Sequence, residues 1–192
     1  MTKIGQFTVI EDDVQIGDGV EIGHNVSIKA GARIGNNVKI DDGCSLTGLC
    51  YVGNDVVIKA GSVIARGVIV EDKSFIGSRV STSSARRVSH CRPDAEKENR
   101  ITRIGYGSII GSGVVLSSGI TIGNNALIGF GQVITFNVDP YTVCASYSYK
   151  FRKVRNYEKV PIDPSWRPFN FTPEDLKKYL PYADLHTPER TI

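Results

Sequence analysis

The chain has three histidines, His24, His90 and His186, and only His90 sits among other groups that could do chemistry. It lies in residues 82–101, TSSARRVSHCRPDAEKENRI, a polar stretch that also carries Arg86, Arg87, Asp94 and Glu96. An imidazole titrates near neutral pH, so it can take a proton from a hydroxyl as that hydroxyl attacks an electrophile. A neighbouring carboxylate, here Asp94 or Glu96, can orient the ring. Cys91 adjoins His90, but adjacent side chains point apart, which argues against a Cys–His nucleophile pair. The three histidines are too scattered for a zinc site, so no metal is expected. Cys44, Cys50, Cys91 and Cys144 form no CxxC pair, which suits reduced thiols and a cytoplasmic setting.

What positions these groups is a repeat. From Ile4, every sixth residue through Ile76 is aliphatic: Ile10, Ile16, Ile22, Ile28, Ile34, Ile40, Leu46, Val52, Ile58, Ile64 and Val70 stand between. With Ile, Leu and Val at about a quarter of the chain, such a run arises by chance on the order of once in 10⁸. The register stops after Ile76 and returns at Ile104, Ile110, Leu116, Ile122, Ile128 and Ile134. A second row, four residues later, is small or β-branched: Val14, Val20, Val26, Ala32, Val38, Cys44, Cys50, Val56, Ser62, Val68, Ser74 and Val80, then Ser108, Val114, Ile120 and Ala126. A period of six excludes an amphipathic helix. It predicts short strands joined by corners, three to a triangular coil, with residues eighteen apart stacked at the strand spacing of roughly 4.8 Å. The expected fold is all-β, a parallel β-helix of about six coils. Gly often follows the leading aliphatic, as at Gly17, Gly35 and Gly53, and is expected there to supply unusual corner angles. Cys44 and Cys50 fall on the inward row and are expected in the core.

The reading divides the chain into a β-helix over 1–140, interrupted by the loop 82–101, and a C-terminal extension over 141–192. A polar excursion of this length in a regular solenoid points to use, since long loops on rigid scaffolds carry function. In the extension, Thr172-Pro173-Glu174-Asp175 forms a helix start, and a short helix near 173–180 is expected to end before Pro181. A net charge of +3 without a basic run interleaved with aromatics argues against nucleic acid. No apolar stretch reaches the length of a membrane span, and the N-terminus enters the repeat at once, so no signal peptide is expected.

The pattern resembles the hexapeptide repeat of left-handed β-helix acyltransferases; IGNNVKI (34–40) and IGNNALIG (122–129) match it closely. The resemblance covers about 1–81 and 102–153. It implies the left hand of the helix, a homotrimer, acetyl-CoA as donor, and a sugar or nucleotide-linked sugar as acceptor. In the sugar O-acetyltransferases of this family a similar loop carries a histidine followed by Pro and acidic residues, which makes His90 the general base. A branch that acetylates amines on nucleotide-linked sugars can dispense with that base. There Arg86 and Arg87 would face a diphosphate, and Asp94 would stand with them on the acceptor side. The segment VDPYTVCASYSYKFRKV (138–154) resembles the family's terminating segment and places Lys150 and Lys153 toward the phosphates of CoA. By local match, Ser112 and Thr135 fall on donor-contacting positions, and a backbone N–H near Ser112 on the oxyanion. Phe130 stands where the family has a small residue, a change that bears on which acyl-CoA is accepted. The rival readings are a non-catalytic regulatory or scaffold β-helix and, weaker still, a γ-carbonic-anhydrase-like protein.

Overall fold

The structure, a computed structural model, describes residues 2–85 and 100–145 in full and 150–153 as backbone. The acceptor-side residues Arg86, Arg87, His90 and Asp94, and the helix expected near 173–180, lie outside the described residues.

The hexads fold as the period predicts. Each leading aliphatic ends a two- or three-residue strand, and every third strand pairs in parallel with the next coil: Lys3 faces Glu21, Val9 faces Ser27 and Gln15 faces Arg33. Three parallel sheets result, which we call faces 1, 2 and 3 in chain order. They wind into a left-handed solenoid of about seven turns, against the six or so expected, because pairing continues past Ile134. There Val138 bridges Ile122, and Thr142–Ala145 pairs with Leu127–Ile128. The left hand runs against the usual crossover preference. That preference comes from strand twist, and strands of two residues carry little of it. Lys150–Lys153 turns back antiparallel on Thr142–Ala145 and closes the end of face 1.

Both inward rows form the core. Of the leading aliphatics only Ile4, Ile10 and Ile16 keep exposure, because no coil lies above the first turn. Cys44 and Cys50 are buried, and burial pushes the Cys50 thiol up to about 12, so it is inert at neutral pH. The inward serines are satisfied rather than orphaned. Ser62, Ser74 and Ser108 donate to the carbonyls of Gly77, Gly105 and Gly123 at 2.8, 2.9 and 2.8 Å.

The corners correct one expectation. The glycines that follow the leading aliphatics do not supply unusual angles; they give room. A Cβ on Gly35 would stand 2.6 Å from Asn54 Oδ1 and 2.8 Å from the Gly53 backbone of the next coil. The left-handed angles fall two residues later, at Gly43 (φ 67°) and also at Asn37 (φ 55°) and Asn125 (φ 54°). Between these two positions, polar side chains form a ladder, each accepting the backbone N–H of its counterpart one coil earlier. Asn36 Oδ1 takes Asp18 N at 2.8 Å, Asn54 takes Asn36 at 2.7 Å and Asp72 takes Asn54 at 2.7 Å.

Two substitutions by asparagine separate these roles. Gly43→Asn enters a conformation that Asn37 already adopts, and should change stability by less than about 1 kcal/mol. Gly35→Asn meets the next coil's backbone and should destabilise by roughly 1–3 kcal/mol or more. Urea denaturation of both variants decides it; equal losses would refute the division.

Candidate functional site

The loop leaves the solenoid at the corner between faces 2 and 3 and returns at the same corner. Register is kept across it, with Ile69 facing Arg103 and Phe75 facing Ile109. Both feet are braced. Thr82, buried, accepts Ala65 N at 2.7 Å, and Thr102, buried, accepts Gly119 N at 3.0 Å. Ser118 Oγ lies 3.2 Å from both the Ser84 and the Arg100 carbonyls, so one hydroxyl ties the two feet together. Ser117-Ser118-Gly119 reads like any other polar corner, and only the three-dimensional placement gives Ser118 this role. Gly119 makes room for the return strand, since a Cβ there would meet Arg100 Cδ at 2.6 Å.

The structure brings some of the expected donor residues together and separates others. Ser112 and Phe130 occupy the same position of the corner between faces 1 and 2 on successive coils, both exposed. Lys150 stands opposite Ala145, and Ala145 lies against Gly129, so the backbone of Lys150 reaches this corner too. Thr135, exposed, follows the last strand of face 2, at the corner that carries the loop feet. Lys153 stands opposite Thr142, at the far end of its strand. Ser112, Phe130 and Lys150 thus mark one edge of face 2, and Thr135 and the loop feet mark the other. Between them lies the outer surface of face 2, where Val115 is 41% and Val133 57% exposed.

Other polar groups are structural. His24 Nδ1 accepts Gln6 N at 2.8 Å, which occupies the ring nitrogen in the corner ladder. At the corner between faces 3 and 1, Glu71 accepts from Arg103 and takes Tyr106 N at 2.9 Å, while Lys73 lies 5.8 Å from the Tyr106 ring. Sequence analysis does not single out this cluster because Glu71 and Arg103 are separated by the loop and meet only once the coils stack. Burial pushes the Asp72 carboxyl up to about 6, with Asp55 and Glu71 adding to the rise.

Family models agree with the repeat. The bacterial transferase hexapeptide model (six repeats) matches residues 1–30 and 31–66, and the hexapeptide repeat of succinyl-transferase matches 101–135, together more than half of the chain. The chain belongs to the hexapeptide-repeat transferase family. Curated protein sequences yield no match. Among solved structures, this hexapeptide-repeat chain is similar to UDP-N-acetylglucosamine acyltransferase from Campylobacter jejuni, at TM-score 0.57 and 12% identity over 93% of this chain and 77% of that one. It is similar to a mutant of AntD, an N-acyltransferase from Bacillus cereus in complex with dTDP and coenzyme A, at TM-score 0.56 and 20% identity over 80% and 84%. A mutant of GDP-perosamine N-acetyltransferase from Caulobacter crescentus, in complex with CoA and GDP-perosamine, aligns at TM-score 0.46 and 15% identity over 77% of this chain. The hexapeptide-repeat chain spans 57% of the length of that relative. Among the described residues, no helix is long and apolar enough to cross a membrane.

The raised Asp72 carboxyl has a signed consequence. Its folded value of about 6 stands above the ordinary 3.8, so the folded state favours the protonated form. Its stabilising contribution is complete below the ordinary value and is lost as pH rises through the folded one. Asp72→Asn keeps the acceptor for Asn54 N–H and removes the charge. At pH 7.5 it should stabilise by about 1 kcal/mol, a figure held down by solvent screening of a half-exposed group, and at pH 3, below the ordinary value, the difference should nearly vanish. Thermal melts at the two pH values check this; a destabilised variant at pH 7.5 would contradict it.

Proposed function

We propose that this protein is an acetyltransferase that moves an acetyl group from acetyl-CoA to a hydroxyl or amine of a sugar or nucleotide-linked sugar. The observation that carries this reading is the arrangement about face 2, in a chain of the hexapeptide-repeat family. Three of the residues matched to the donor, Ser112, Phe130 and Lys150, mark one edge of an exposed face, and the loop 82–101 is anchored on the other. The similar N-acyltransferase in complex with dTDP and coenzyme A supports the same chemistry.

In this reading acetyl-CoA lies along the C-terminal coils, with Lys150 and Lys153 meeting its phosphates by charge-assisted hydrogen bonds. Ser112 and Phe130 flank the thioester, and Thr135 lines the opposite edge. The acceptor is held by Arg86, Arg87 and Asp94, and its nucleophile attacks the thioester directly, without an acyl-enzyme. His90 would act as general base for a hydroxyl; an amine in its free-base form needs less help. Three copies would assemble so that the loop of one reaches the face of the next. The buried free thiols of Cys44, Cys50 and Cys144 fit a reducing compartment such as the cytoplasm.

Calorimetric titration with acetyl-CoA should show saturable binding that weakens at least several-fold in Lys150→Ala. His90→Ala should leave that binding intact and lower kcat for a hydroxyl acceptor by about 10²–10⁴-fold. Absence of binding to acetyl-CoA and to other short acyl-CoAs would sink the transferase reading and favour a scaffold.

A further inference from the structure

Face 2 and the two corners that bound it change charge abruptly along the solenoid. In the first three coils, over residues 5–14, 23–32 and 41–50, they carry Glu11, Asp12, Asp13, Asp41 and Asp42 against one lysine, Lys29. From the fourth coil on, residues 59–68, 77–85, 111–119 and 129–137 contain no acid, and their charged residues are Lys59, Arg66 and Arg79. Lys29 pairs with Glu11 at 2.7 Å, and Lys59 reaches back across the boundary to Asp41. Arg66 and Arg79 are both exposed, and among the described residues neither guanidinium has a partner. Two cations are thus left unneutralised where the face stops being acidic.

Their places in the fold point to use. Arg66 stands at the corner between faces 2 and 3, next to Ala65, whose N–H is taken by Thr82 at the loop's outgoing foot. Arg79 stands at the opposite corner one coil later, next to Ser78, whose N–H Ser112 Oγ takes at 3.2 Å. Between them on the outer surface lie Val63 and the exposed Ser81, in register on successive coils. Arg79 is also strained. Its φ is 56°, at a corner position where the neighbouring coils have Gly43, Gly61, Gly113 and Gly131. A side chain in that conformation costs roughly 1–2 kcal/mol. Lys73, at φ 57°, has the Tyr106 ring for company, 5.8 Å away, whereas Arg79 has no such contact within the chain. Strain without an internal return is a mark of function. The Arg79 stem leans over Gly61, since a Cβ there would stand 3.6 Å from Arg79 Cγ. Its charge is therefore carried toward the fourth coil, away from Lys150.

We infer that Arg66 and Arg79 bind the phosphates of the acceptor, which is therefore a sugar linked to a nucleoside diphosphate rather than a free sugar. This rests on the acetyl-transfer reading and names the substrate class within it. A guanidinium fork matches two phosphate oxygens, and an uncharged sugar would leave both arginines as they are, without a partner. The donor's own phosphates belong, in that reading, with Lys150 and Lys153 at the far end of the solenoid. Ser112, beside the thioester, and Gly61, under the Arg79 stem, are two coils apart, roughly 10 Å at the strand spacing. That separation leaves room for a sugar ring between the reacting group and the diphosphate. Val63 gives the ligand an apolar floor, and the Ser81 hydroxyl gives it a donor.

Calorimetric titration of the full chain with dTDP, UDP and GDP tests this without turnover. At least one should bind, and Arg66→Gln and Arg79→Gly should each weaken it about tenfold or more. Arg79→Gly takes the residue that the adjoining coils carry, so its Tm should not fall. Lys29→Gln, among the acidic coils, should leave the affinity within about threefold. Kinetics with a nucleotide-linked amino sugar then separate acceptor from donor: KM for the sugar should rise about tenfold or more in both arginine variants, with KM for acetyl-CoA nearly unchanged. A chain that binds acetyl-CoA but none of the three nucleotides, or binds them equally well in both variants, overturns the site and leaves acetyl transfer standing. Weakened binding of acetyl-CoA in the two variants also overturns it, because the arginines would then serve the donor's phosphates. A chain that binds a nucleoside diphosphate through both arginines, yet binds no acyl-CoA, keeps the anion site and removes the acetyl-transfer reading beneath it.

Discussion

Successive coils of this chain lie one strand spacing apart, and the backbone hydrogen bonds between them hold that distance all along the solenoid. The aliphatic residues of the core must then stack on copies of themselves, which is why Ile, Leu and Val recur at every sixth place. At the corners that end faces 1 and 3 a Cβ often has no room at the residue after the strand, so glycine collects there. The same closeness lets one polar side chain in a corner reach the backbone of the coil before it, which satisfies N–H groups that a strand would otherwise pair. Polar residues in the inward row survive for the same reason, because a serine hydroxyl finds a corner carbonyl within 2.9 Å.

Once coil spacing is fixed, the outward positions are free to vary, and their chemistry changes along the molecule. On face 1 the first coils carry an alternating ladder, with Glu21 between Lys3 and Lys39 at 3.1 and 3.4 Å. Later coils on the same face carry Val57, Phe75, Ile109, Leu127 and Val143. The exposed surface therefore turns apolar toward the end that also bears the loop, Phe130 and the returning strand. Exposed ion pairs of the first kind contribute little to stability, so the early coils depend on their core. Apolar outward residues on the later coils offer a surface for a ligand or a second copy.

The fold was legible because its constraint is periodic: two inward side chains per hexad, with glycine after the strand in many of them, leave a mark that repeats many times. The reason for the glycines was misread, since sequence shows that glycine recurs but not whether it supplies an angle or a gap. Sites were less legible. Ser118 and the Glu71–Arg103 pair become evident only when residues on either side of the loop are stacked, and the loop breaks the spacing that would have linked them. Ser112 and Phe130 stand eighteen apart, so the sequence already places them on one column. Thr135 and Lys153 match donor-side positions of the family as Ser112 and Lys150 do, yet they stand at other corners, because a linear match carries no information about which edge a residue occupies.

The central claim is that acetyl-CoA binds along the C-terminal coils beside face 2. Hydrogen–deuterium exchange of the full chain, with and without saturating acetyl-CoA, tests it most directly. The account predicts slowed exchange in peptides spanning 109–116 and 127–135, with none in the early coils over 15–40. Protection confined to the early coils, or no protection anywhere, would contradict it.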